Sequence, residues 1–189
     1  ISGADFAVGD AKALPGAHNA QNAAAAAAMA RALGVPAAAI AEGIRTYPGL
    51  PHRQQEVAVV QGVRFINDSK ATNADAASRA MGCYDRFVWI AGGVGKAGGI
   101  EDLAPFFPRV AKAFLIGQDA ENFAATLKRH GVAHAMAGTL DAAVAQAFAL
   151  ARAGGIREIL FSPAAASFDQ FQNFEQRGEA FAQLARELS

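Results

Sequence analysis

One cysteine, Cys83, stands alone among 189 residues. A single thiol excludes an internal disulfide and suits a reducing compartment; filling space in a core is the role expected of it. Neither sign of charge is in excess, because 17 Lys and Arg balance 17 Asp and Glu. No basic run occurs, so nucleic acid and anionic membrane are poor partners. Long hydrophobic runs are missing as well. The six alanines at 23–28 lie between Asn22 and Arg31, too short and too weakly apolar a stretch to cross a bilayer, and no membrane insertion is expected. No secretory signal is visible. No His/Cys/Asp/Glu spacing resembles a closed metal site, and no Ser/His/Asp nucleophile emerges. His130 and His134 read as structural. The first residue is Ile1 and the first methionine, Met29, falls inside a predicted helix, so the chain reads as a piece whose upstream part is missing.

What is present suffices for one substantial core and a small additional piece, since 52% of the residues are hydrophobic. Residues 6–14 alternate weakly and predict one or two strands. Residues 17–33 predict a helix stopped by Gly34, and Pro36 starts a second one through residue 44. The breaker-rich joint Tyr47-Pro-Gly-Leu-Pro51 is the best candidate boundary, giving an incomplete domain over 1–47 and a second over 48–189. Past the joint, strands are predicted at 56–61 and 63–67 around a tight Gln61-Gly62 turn. Further strands at 87–91, 113–116, 132–136 and 158–161 alternate with helices near 74–81, 101–107, 120–130 and 140–153. A last helix is marked by Phe174, Phe181, Leu184 and Leu188. This is an α/β pattern: a mostly parallel, Rossmann-like sheet with helices on both faces. Ligands of such sheets bind beyond the carboxyl ends of the strands, which directs attention to Asn67, Gly92 and Ser162.

Three loops start there. Asn67-Asp-Ser-Lys-Ala-Thr-Asn73 packs six polar groups into seven positions, more than helix capping by Thr72 or Asn73 requires. Gly92-Gly-Val-Gly-Lys96-Ala-Gly-Gly99 combines backbone amides that can approach a ligand with one point charge. Ser162 to Gly178 leads from a buried strand through small and hydroxyl residues into a helix, which suits a carboxylate or phosphate. Gly93, Gly95 and Gly98 also spell the dinucleotide-binding G-x-G-x-x-G, with Asp119 after the next strand. The short following helix with Pro105 and Pro108, its acidic start at Glu101 and Asp102, and the interrupting Lys96 argue against an NAD(P) site. Ala97 after Lys96, where a magnesium-binding Ser or Thr belongs, argues against a triphosphate loop. Asn19 and Asn22 share one helical face, and His52-Arg53 sits just past the joint.

In this order, Gly16-Ala-His18-Asn19-Ala-Gln-Asn22, Gly49-Leu-Pro-His-Arg53, Asn67 to Asn73, Gly92 to Lys96 and the Ser162 to Gly178 segment resemble the Mur ligases of peptidoglycan synthesis, over essentially the whole chain. The LPHR, NDSKATN and SPA-x-ASFDQF-x-NFE-x-RG patterns are similar to those of the glutamate-adding members. Ala165 departs from the pattern, many members having cysteine there; alanine keeps the turn small. The resemblance implies that 1–47 is the C-terminal part of a central ATPase domain and 48–189 a Rossmann-like glutamate-binding domain, hinged at Tyr47 to Pro51. It implies a cytoplasmic, monomeric, ATP-dependent ligase of cell-wall biogenesis that joins D-glutamate to UDP-N-acetylmuramoyl-L-alanine, with Mg2+ ligands in an upstream part of the same polypeptide. Asn19, Asn22, Arg53, Asp68 and Lys70 would address ATP. Thr72, Lys96, Ser167 and the backbone near Phe174 would hold the carboxylates of glutamate. Two rival readings stand beside it: an NAD(P)-binding domain of an oxidoreductase, and a non-catalytic amino-acid-binding domain.

Overall fold

A computed structural model describes Ala11 and residues 13–188, and the backbone divides into two compact units, Ile1–Pro51 and His52–Ser189. Most of the strand region expected over 6–14 lies outside the described residues; Ala11, Ala13 and Leu14 are not in a strand. The first unit carries α1 (Ala17–Ala32) and α2 (Ala37–Thr46). Gly34, at φ 83°, ends α1 in a left-handed turn. The Val35 and Gly34 amides return to the carbonyls of Ala30 and Arg31, the hydrogen-bond pair of a Schellman cap.

The second unit is a six-stranded sheet in the order β1-β2-β6-β3-β4-β5. Its strands are β1 (Gln55–Val60), β2 (Val63–Asn67), β3 (Phe87–Gly92), β4 (Val110–Ile116), β5 (His134–Gly138) and β6 (Glu158–Phe161). β1 is antiparallel to β2; all other pairings are parallel. The β1–β2 turn places Gln61 and Gly62 at φ 50° and 82°, the two left-handed positions that a tight primed hairpin needs. The helices are α3 (Ala74–Met81), α4 (Ala120–Arg129), α5 (Leu140–Gly154) and α6 (Phe174–Glu187), with a 3₁₀ helix over Glu101–Arg109.

Side-chain alternation along the strands explains why both faces are covered. Ile66, Trp89, Leu115 and Leu160 enter one buried cluster with Met81 of α3, Leu103 and Phe107 of the 3₁₀ helix and Phe123 and Leu127 of α4. Phe65, Ile90, Ile116 and Phe161 enter a second with Val144 and Phe148 of α5 and Phe181 of α6. Phe161 stacks on Phe181 with ring centroids 4.7 Å apart. The segment 101–109 is a 3₁₀ rather than an α-helix because Pro105 and Pro108 supply no backbone donors. β5 starts two residues later than its apolar run predicts. Gly131 and Val132 are drawn back to the carbonyls of Lys128 and Leu127 to close α4.

The winding of the chain fixes where a ligand can sit. The chain leaves β2 and β3 toward the cluster holding α3 and the 3₁₀ helix, and leaves β6, which lies between them, toward α6 on the opposite face. Connections that part to opposite faces from neighbouring strands open a crevice at their carboxyl ends. Asn67 is paired with Phe161, and Phe161 with Ile90, so the three loops singled out above leave the sheet side by side.

Candidate functional site

The loop after β2 is held by its own polar groups. The Asn67 Nδ2 group donates to Gly178 O at 2.9 Å and lies 3.1 Å from His52 Nδ1, while Oδ1 accepts the Ser69 amide at 3.2 Å. These partners fix the amide orientation and make His52 Nδ1 the acceptor. Asp68 is buried. Its Oδ2 accepts the Ser162 hydroxyl at 2.7 Å and its Oδ1 the Gln54 amide at 3.2 Å. Burial pushes the Asp68 carboxyl up to about 7, against the pull of those two donors and of Arg53. Each of its oxygens keeps a further lone pair. Arg53 itself is exposed. Lys70 lies over the Phe174 ring, with Nζ 3.8 Å from the centroid, so two residues expected to serve different ligands are in contact. Thr72 is half-buried. Asn73 caps α3 by accepting the Ala76 amide at 2.9 Å.

The glycine loop after β3 is threaded between its neighbours. Gly92 donates to Pro163 O at 2.9 Å, and Val94 exchanges two 2.9 Å hydrogen bonds with Ala166, an isolated antiparallel bridge. A Cβ at Gly93 would collide with Ala166 O and come within 3.2 Å of Arg177 Nη1, so only glycine allows this approach. The bridge brings the backbone of the loop that carries Lys96 against the turn that carries Ser167. Lys96 is exposed and Ser167 is buried. Gly95 N–H is already taken by Asp119 Oδ2 at 2.6 Å, which removes a donor that a dinucleotide phosphate would need.

Arg177 joins the first loop to the third. It is 1% exposed, yet its guanidinium donates only to neutral acceptors: Ser69 Oγ at 3.0 Å, Ser69 O at 2.8 Å and Ala165 O at 3.0 Å. Ser69 Oγ in turn donates to Phe174 O at 2.8 Å. No carboxylate among the described residues forms an ion pair with it. Burial lowers its pKa to about 10, opposed by the more distant Asp169. Sequence reasoning gave Arg177 no role. The signal was there: Phe174, Arg177, Phe181 and Leu184 fall on one apolar helical stripe, where an arginine is out of place. His52, Asn67, Ser69 and Ser162 were likewise unassigned.

Thus Arg53, Asp68, Lys70, Thr72, Lys96 and Ser167 belong to loops at one edge of the sheet or to the segment leading into it, and Phe174 is the first residue of α6, which follows the third loop. Asn19 and Asn22 belong to the first unit: Asn19 Nδ2 donates to Pro15 O at 2.8 Å, and Asn22 is exposed. Among the described residues no group of three or more His, Cys, Asp or Glu could hold a metal ion.

The pattern of the family described as "Mur ligase, glutamate ligase domain" matches residues 52–165. The chain belongs to the Mur ligase family. Among curated relatives, the UDP-N-acetylmuramoylalanine–D-glutamate ligase of Caulobacter sp. (strain K31) is 58% identical over 172 residues, 90% of this chain and 36% of its own length. That of Phenylobacterium zucineum is 55% identical over 181 residues, 95% of this chain and 38% of its own. The chain therefore spans little more than a third of the relatives it matches. Among solved structures, UDP-N-acetylmuramate-alanine ligase from Thermotoga maritima superposes with a TM-score of 0.65 at 16% identity, over 93% of this chain and 39% of that one. At that identity the likeness bears on the fold alone, and it is the α/β fold found here.

Proposed function

We propose that this chain is part of an ATP-dependent ligase that adds D-glutamate to UDP-N-acetylmuramoyl-L-alanine, and that the second unit binds the glutamate. The observation that carries the reading is Arg177: a cation buried with no carboxylate partner among the described residues, where three strand-end loops meet. A desolvated positive charge held only by dipoles favours an anion nearby. Glutamate brings two carboxylates and the reaction brings phosphate. The names of the curated relatives supply the particular substrates.

In the proposed reaction, a carboxylate oxygen of the L-alanyl group attacks the terminal phosphorus of ATP, and ADP leaves. The amine of D-glutamate then adds to the acyl phosphate carbon and loses a proton. The tetrahedral intermediate collapses with loss of inorganic phosphate, leaving the amide. Phosphorylation is needed because a free carboxylate has no good leaving group. The work left to these loops is positioning and charge neutralisation. Thr72, Lys96, Ser167 and the Phe174 backbone are assigned to the carboxylates of glutamate. Arg53, Asp68 and Lys70 are assigned to the nucleotide, together with Asn19 and Asn22 of the first unit. The described residues offer no metal-binding cluster. A monomeric, cytoplasmic enzyme is part of the same reading; among the described residues no helix is long and apolar enough to cross a membrane.

Lys96→Ala in the full-length enzyme tests the assignment. Removing one hydrogen bond to a charged group should raise KM for glutamate about 10- to 100-fold, and KM for ATP far less. Equal effects on the two would show that Lys96 serves a different ligand.

A further inference from the structure

We propose that Asp119 is a positioning residue for the glutamate site, holding the glycine loop so that Lys96 is presented to the ligand; this rests on the assignment of Lys96 above. Asp119 occupies the place after β4 where a dinucleotide-binding domain would carry an acid for ribose. Here its bonds lie within the protein. Oδ2 accepts the Gly95 amide at 2.6 Å, Oδ1 accepts Asn122 Nδ2 at 2.9 Å, and its own amide donates to Gly93 O at 3.0 Å. One residue therefore grips the glycine loop through both backbone and side chain, immediately before Lys96. Behind Lys96 the loop closes on itself, with Gly99 N donating to Lys96 O at 3.0 Å. On the far side of β3, the Val94–Ala166 bridge holds the same loop against the Ser167 turn.

The grip is continued by a second carboxylate. Asp169 Oδ2 accepts the Gln118 amide at 2.8 Å, so the β6 turn is bonded to the β4 loop, and the β4 loop through Asp119 to the glycine loop. A Cβ at Gly117 would collide with Asp169, which leaves the β4 loop little freedom to drift. Lys96 is exposed and carries its ammonium on a flexible four-carbon stem, so the position of the backbone beneath it sets the region that the ammonium can reach. A carboxylate would repel a diacid ligand at close range. Asp119 is here an acceptor for two N–H groups, a task that an amide oxygen also performs.

The experiment uses the full-length enzyme, with steady-state KM measured for glutamate and for ATP and thermal unfolding as the folding control. Asp119→Ala should raise KM for glutamate about tenfold, with kcat and KM for ATP changed less than about twofold. Asp119→Asn keeps an acceptor opposite Gly95 N–H and should restore KM for glutamate to within about threefold of the native value. Because Asp119 acts through Lys96, the Asp119→Ala, Lys96→Ala double variant should be scarcely worse than Lys96→Ala alone, well short of the product of the two effects. Multiplicative effects would overturn the proposal. So would parallel rises in both KM values, or an Asn variant as impaired as Ala. If Lys96→Ala itself leaves KM for glutamate unchanged, the assignment of Lys96 fails and this inference with it. If Lys96→Ala raises it and Asp119→Ala does not, only the positioning role fails.

Discussion

Asp68 is suspended between a serine hydroxyl and a backbone amide, in a site with too little water to solvate its charge. Burial outweighs both donors and the pull of Arg53, and the carboxyl rises from 3.8 to about 7. Its folded-state pKa is above the unfolded one, so the folded protein holds the proton more tightly. The stability this contributes is complete below about pH 4 and is lost as pH rises through 7. A rise from 3.8 to about 7 corresponds to at most about 4 kcal/mol. Asp68→Asn, which cannot ionise, should remove this slope. Urea midpoints between pH 4.5 and 7.5 would report it through the fluorescence of Trp89, the single tryptophan and fully buried. The native chain should lose stability across that range while the variant stays nearly level; parallel curves would show that Asp68 is ionised throughout.

At the scale of elements, α6 shows what a helix face can carry besides apolar contact. Asn173 caps it by accepting the Gln176 amide at 2.7 Å. One turn later Arg177 bridges two loops, and Gly178 gives His52 room to reach Asn67. A Cβ at 178 would collide with the His52 ring. Glycine to alanine inside a helix ordinarily stabilises it by about 1 kcal/mol. Gly178→Ala should instead lower stability by about 1–3 kcal/mol, as an overpacked core does, and His52→Ala in the same chain should recover part of the loss. A more stable Gly178→Ala protein would show that the imidazole moves aside without cost. This element also marks the limit of what could be read in advance. The bounds of β2, α3 and β6 follow from local apolar period and capping, and their predicted limits coincide with the observed ones. The three candidate-site loops were legible because polar clusters follow predicted strands. The ties between the loops were not. Val94 to Ala166, Gly95 to Asp119 and Ser69 to Arg177 join residues tens of positions apart, and no local pattern encodes which strand end comes to lie beside which. Arg177 received no role because its burial depends on loops from elsewhere in the chain.

At the scale of the whole molecule, the proposed chemistry asks for more than the anion site proposed for the second unit. Transfer of a phosphoryl group requires the triphosphate to be cradled and its charge neutralised before a carboxylate can approach. None of the 189 residues forms a GKS or GKT loop; the single glycine-lysine pair, Gly95-Lys96, is followed by alanine, and its glycine amide is bound to Asp119. The described residues also lack a cluster able to hold the accompanying metal. Orienting reactants in a site contributes effective molarities on the order of 10⁵–10⁸ M, an advantage that disappears when the triphosphate is not cradled in place. This chain by itself should therefore release no phosphate above buffer background when given ATP, Mg2+, UDP-N-acetylmuramoyl-L-alanine and D-glutamate. A colorimetric phosphate assay over hours, with full-length enzyme as the positive control, provides the measurement. Turnover by the 189-residue chain would mean that a phosphate cradle exists within these residues, and the division of labour proposed for the two units would have to be redrawn around it.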